Sequence, residues 1–169
     1  MRDLIDQIDE AIGMHAYYLA LYASLTIPDI CGAMESEDGL ATRTKYIAWF
    51  DKYVSQNYVA CGQPTLSGEV CYYYRCGVLH QGRAQHPKMG FSRILFVEPG
   101  TTSNVFHNNI LNDALNIDVS IFCKDIVNGA RQWLAAAEES PNYEKNFPHF
   151  MQRYPKGLAP YIVGVPVIG

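Results

Sequence analysis

The sequence predicts a mainly α fold: four to five helices in a bundle, with a small β-hairpin inserted and an irregular C-terminal segment. Three observations lead there. Apolar residues recur at helical spacing over several long stretches. The run Phe91–Val97, rich in large apolar side chains, precedes a Pro99-Gly100 turn signal. Five prolines, Pro141, Pro148, Pro155, Pro160 and Pro166, punctuate the end of the chain. At 169 residues with 49% apolar composition, residues 1–169 fit one domain with a substantial core.

The elements follow in order. Leu4, Ile5, Ile8, Ala11, Ile12, His15, Tyr18, Leu19 and Tyr22 place a first helix over Asp3–Leu25. Thr26-Ile27-Pro28 interrupts it, and Pro28–Ala33 reads as a short restart, since proline suits a first turn. Glu35–Gly39 is a polar turn. Thr42 caps a second helix over Arg43–Gln56, with Tyr46, Ile47, Phe50, Tyr53 and Val54 as its apolar stripe. Asn57–Leu66 reads as a loop. Ser67 then caps a third helix that runs to Gln81 and stops at Gly82. Phe91–Val97 reads as a strand, with Ser103–His107 returning as its hairpin partner. A fourth helix spans Asn116–Glu139 on the stripe Ile117, Ile121, Phe122, Val127, Ala130, Leu134 and Ala137. A short helix near Phe147–Tyr154 and an extended tail complete the chain. Neither repeats nor low-complexity tracts occur.

Several classes are disfavoured. No stretch of eighteen apolar residues occurs, so the sequence offers no membrane span. Met1-Arg2-Asp3-Leu4 lacks the build of a signal peptide, and a cytoplasmic location is expected. The five cysteines, Cys31, Cys61, Cys71, Cys76 and Cys123, are odd in number and contain no Cys-x-x-Cys. Most of them read as small buried hydrophobes rather than a disulfide or zinc framework. Nothing in the spacing of His15, His80, His86 and His107 recommends a metal hydrolase, and no cofactor is implied.

Charge is unevenly spread. Val70–Val97 holds Arg75, Arg83, Lys88 and Arg93 and no acidic residue; its formal charge of +4 leaves −8 on the rest of a chain totalling −4. The overall balance disfavours general nucleic-acid binding, while this segment favours a local anionic partner.

The third helix carries the chemistry. At 100° per residue, Cys71 and Leu79 fall within about 40° of Arg75, and Val78 and Tyr72 within about 60°. Arg75 therefore sits in the apolar face, where a guanidinium cannot shed its charge and must find anionic or carbonyl partners. Two partners fit that demand: a core carboxylate such as Asp29, Asp113 or Asp118, or a bound phosphate. His80 lies in the last turn, roughly 140° around from Arg75, where the helix dipole favours a protonated imidazole suited to proton transfer.

The stretch Cys71-Tyr72-Tyr73-Tyr74-Arg75-Cys76-Gly77-Val78-Leu79-His80-Gln81-Gly82 resembles the signature of HEPN domains: Arg, four to six residues, then His, often followed by glycine. That resemblance implies a helical bundle that forms homodimers. It implies metal-independent endoribonuclease activity of the kind found in toxin–antitoxin and phage-defence systems, with an antitoxin protein as a partner. Arg75 and His80 would then be catalytic. One such Arg–His pair supplies a single imidazole, so a two-fold dimer would supply both the acid and the base. Arg83, Lys88 and Arg93 would guide the RNA backbone, and Tyr73 would either stack on a base or simply pack within the fold, packing being the simpler role for a large aromatic. Active members often carry Asn, Asp or His directly after the arginine; Cys76 departs from that pattern. The alternative is a non-catalytic HEPN-like dimerisation or nucleotide- or RNA-binding module, in which Arg75 fixes the bundle and His80 caps a helix.

Overall fold

A computed structural model describes residues 1–100 and 102–169. The chain is mainly helical, with small sheets. The N-terminal region is two helices, α1 (Arg2–Gly13) and α2 (Tyr17–Met34), rather than one helix ending at Leu25. The break falls at Met14–Ala16, where His15 adopts φ +58 and its Nδ1 meets the Tyr17 hydroxyl at 2.6 Å. The turn lets α1 lay Ile5, Ile8 and Ile12 against both α2 and the long helix near the C-terminus. Pro28, expected to interrupt the helix, lies inside α2. It removes one backbone donor at a cost of about 3 kcal/mol. Burial of Leu21, Leu25, Ile27, Cys31 and Met34 opposes that cost with roughly 1.5–3 kcal/mol for each large side chain. Packed against α1, α3, α4, α5 and α6, α2 is the central helix, although its first turns keep an exposed side.

The middle of the chain follows local rules closely. Thr42 accepts a hydrogen bond from the Lys45 amide (3.3 Å) and starts α3 (Arg43–Tyr53). This helix ends three residues earlier than expected, in a 3₁₀ turn at Ser55–Asn57. The expected loop contains a two-residue ladder, β1 (Val59–Ala60) with β2 (Gln63–Pro64), closed by Cys61 and Gly62 at φ +52 and +77. Ser67 accepts from the Val70 amide (3.3 Å) at the start of α4 (Gly68–Gln81). Gly82, at φ +63, ends it as expected.

The expected hairpin does not form. Ser103–His107 carries no strand, and Thr101 lies outside the described residues. Instead β3 (Arg93–Val97) pairs in parallel with β5 (Ala114–Asp118), and β4 (Asn109–Leu111) pairs antiparallel on the other side of β5. The β4–β5 turn is Asn112-Asp113, both at positive φ, the conformation a two-residue hairpin requires. All five β5 residues are buried, so Asn116–Asp118 belong to a strand and not to the fourth helix. Asp118 caps α5 (Val119–Ala137) through the Ser120 and Ile121 amides.

The C-terminal segment is more ordered than its prolines suggest. Ser140 caps α6 (Pro141–Asn146), which continues into a 3₁₀ turn at Phe147–His149, slightly ahead of the expected short helix. β6 (Arg153–Tyr154) pairs with β9 (Val167–Ile168), and β7 (Gly157–Leu158) with β8 (Ile162–Val163). One apolar cluster runs through the molecule, with Trp133, Tyr46, Tyr58, Phe50 and Phe122 fully buried. No helix of the described residues is long and apolar enough to cross a membrane.

Candidate functional site

Arg75 and His80 come together although they start well apart around α4. The long Arg75 side chain reaches across the helix surface, and its Nη1 lies 2.9 Å from His80 Nε2. As a guanidinium can only donate, this bond needs an unprotonated His80 Nε2. The other amino group, Nη2, lies 2.5 Å from Oδ2 of Asp29 on α2, and both side chains are largely shielded from solvent, at 19% and 15% exposure. The approach is a charge contact rather than a well-directed hydrogen bond, and Arg75 Nε is buried with no partner among the described residues. Cys76 Sγ sits 3.9 Å from Nη1. Of the three carboxylates weighed from the sequence, Asp29 is the partner. Asp118 caps α5, and Asp113 occupies the β4–β5 turn.

The electrostatics of the pair are close to balance. Burial holds the Asp29 carboxyl above its ordinary range, and the Arg75 charge only partly opposes it. Burial pulls Arg75 down, but Asp29 and Cys76 together more than offset this and leave the guanidinium above its ordinary value. Such a pair adds little net stability, yet removing one member strands the other.

The remaining predicted site residues divide. Arg83 and Lys88 are exposed and form no ion pair among the described residues. Arg93 is exposed at the start of β3, and none of these contacts reaches it. Tyr73 is not an open platform: His86 stacks on its ring, with centroids 4.8 Å apart and planes 10° off parallel. Arg43, which also pairs with Glu69, donates to the Tyr73 hydroxyl at 3.0 Å, and its guanidinium carbon lies 5.3 Å from the ring centroid. Lys88 Nζ lies 5.5 Å from the same centroid. Arg43 and His86 were absent from the sequence-derived site. Arg43 was legible only as the residue after a helix cap, and His86 only as part of the acid-free stretch.

A second polar cluster lies outside α4. The buried Tyr58 hydroxyl donates to Asp125 on α5 (2.9 Å), and the Tyr58 ring packs 5.4 Å from that of His107. His107 Nδ1 is buried without a partner among the described residues. Burial pushes Asp125 up and His107 down from their ordinary values. No three His, Cys, Asp or Glu side chains of the described residues group as a metal site. A concavity of about 1060 Å³ runs between α1, the end of α2, α6 and the C-terminal ladders, lined by Leu4, Ile30, Met34, Phe147 and Phe150. It contains no α4 residue, and its Arg2 and Glu138 pair with each other.

Compared with protein-family models, curated proteins and solved structures, the chain shows no match to any.

Proposed function

We propose that this chain is a HEPN-like, metal-independent endoribonuclease, with Arg75 and His80 acting on one phosphodiester. A single observation carries the reading: Nη1 of Arg75 and Nε2 of His80 meet at 2.9 Å on the half-exposed side of α4, so one phosphate can face both. Cleavage needs the ribose 2′-oxygen to attack phosphorus, its proton to leave, and the 5′-oxygen to depart with a proton. An unprotonated His80 Nε2 accepts the first proton. Arg75 turns Nη1 from the imidazole to the phosphoryl oxygens and neutralises their growing charge, while Asp29 holds the other amino group in place. The products carry a 2′,3′-cyclic phosphate and a 5′-hydroxyl. The second proton comes from the symmetry-related His80 of a homodimer. Met14, Tyr18, Leu19 and Tyr22, all exposed around the start of α2, supply apolar surface for such contact. Tyr22 lies two turns from Asp29 on the same face of α2. A four-helix HEPN bundle corresponds in this reading to α2–α5, with the β3–β5 sheet as an insertion. RNA, and an antitoxin protein covering the site, are the partners; toxin or phage-defence activity in the cytoplasm is the setting.

A second reading is favoured by the Asp29 contact. If Arg75 serves only to tie α4 to α2, the chain is a non-catalytic HEPN-like dimerisation or nucleotide- or RNA-binding module. One assay separates the two. Purified protein is incubated with single-stranded RNA, with and without EDTA, beside Arg75→Ala and His80→Ala. The nuclease reading expects EDTA-insensitive cleavage that His80→Ala abolishes without lowering the melting temperature. Equal activity in wild type and His80→Ala, or none in either, leaves the non-catalytic module.

A further inference from the structure

The stack of His86 on Tyr73 beside the site has a structural cause within α4. A Cβ on Gly77 would lie 2.8 Å from the carbonyl oxygen of Arg83 and 3.2 Å from that of Gln85. Only a residue without a side chain lets the chain come so close. After Gly82 turns it at φ +63, the segment 83–90 therefore doubles back along the helix it has just left. This return lays His86 flat on Tyr73 and brings Lys88 Nζ within 5.5 Å of the ring centroid that the Arg43 guanidinium carbon approaches to 5.3 Å. Tyr73 and His80 are seven residues apart, 20° short of two full turns, so both occupy one face of α4 about 10 Å apart along its axis. That span matches roughly three stacked nucleotides at 3.4 Å each.

We propose that the His86–Tyr73 ladder, with Arg43 and Lys88, is a nucleobase subsite for single-stranded RNA, flanking the position of the scissile phosphate. The inference rests on the RNA reading above, which it deepens. A base continues the stack on the imidazole side of the ladder, because the planar π-face of any base can extend it. Arg83 and Lys88, lacking acidic partners among the described residues, take the neighbouring phosphates. Paired bases cannot enter such a stack, so duplex RNA is excluded on geometry. An imidazole clamp that merely anchored the loop would be indifferent to whether the bound strand carries bases.

The experiment uses the full chain with His80→Ala as the parent, so that RNA stays intact. A labelled twelve-nucleotide single-stranded RNA and an abasic ribose-phosphate strand of equal length are titrated by fluorescence anisotropy. His86→Ala is expected to weaken RNA binding about 5- to 100-fold, the range of a lost base–aromatic stack, and to leave the abasic strand unchanged. His86→Phe restores binding, and Lys88→Gln weakens both strands. Unaltered thermal unfolding of each variant confirms the fold, and His86→Phe carries the test should His86→Ala unfold. The proposal is overturned if the parent does not bind RNA, if His86→Ala binds as the parent does, or if it loses both strands equally. Its failure is separable from that of the nuclease. His86-dependent binding without wild-type cleavage leaves the subsite and removes the catalysis. Cleavage with His86-independent binding does the reverse.

Discussion

Replacing Arg75 by Met keeps the aliphatic stem and removes the charge, leaving the Asp29 carboxylate 15% exposed beside an apolar thioether. At an effective dielectric of about 20, two charges near 4 Å interact by about 4 kcal/mol, and breaking a buried pair from one side costs about 3–5 kcal/mol. Both side chains retain some access to water, which brings the expected loss to about 2–3 kcal/mol. For a chain of this size that lowers the melting temperature by about 4–12 °C. The pH dependence is the sharper test. Burial already raises the folded-state value for Asp29. A carboxyl raised on folding contributes stability below its unfolded value, near about 3.9, which is lost as pH rises through the folded value. Without Arg75 the value rises further, so the Arg75→Met penalty is largest near pH 7 and smaller at about pH 4, because protonation of Asp29 on acidification removes the stranded charge. Urea unfolding followed by circular dichroism at both pH values measures it. Adding Asp29→Leu should recover about 2 kcal/mol at pH 7, since no stranded charge remains. A penalty equal at the two pH values, or strict additivity in the double variant, refutes the argument that these groups compensate each other.

Two further expectations concern stability. Ser67→Ala removes the side-chain acceptor for the Val70 amide and should cost about 1 kcal/mol, read as a melting point lower by about 2–4 °C. His107, held down by burial, binds a proton less readily folded than unfolded. Its contribution is present above the unfolded value, near about 6.5, and is lost as pH falls through it towards the folded value. His107→Gln should flatten the fall of the urea midpoint between about pH 7 and 5; an identical slope in both proteins would reassign that titration to other groups.

The parts of this protein legible in the sequence are those governed by neighbours along the chain. Thr42, Ser67 and Gly82 mark helix ends because a cap is completed within three or four residues. Arg75 stands out because a charge in an apolar stripe needs a partner wherever the chain goes. Other features depend on what arrives from far away. Pro28 stays helical because the burial around α2 outweighs one missing hydrogen bond. Asn116–Asp118 leave the helical pattern because both edges of that stretch find strands, β3 twenty-one residues earlier and β4 just before it. Asn112-Asp113 was the local signal for the second pairing; a parallel partner has no adjacent turn to announce it. The choice of Asp29 from three carboxylates, and the return of His86 onto Tyr73 across Gly77, likewise required α2, α4 and the loop to be in place. Sequence determined by itself which groups would need partners. Only the tertiary structure decided which partners they found, because packing, unlike capping, is a property of residues that meet without being near one another in the chain.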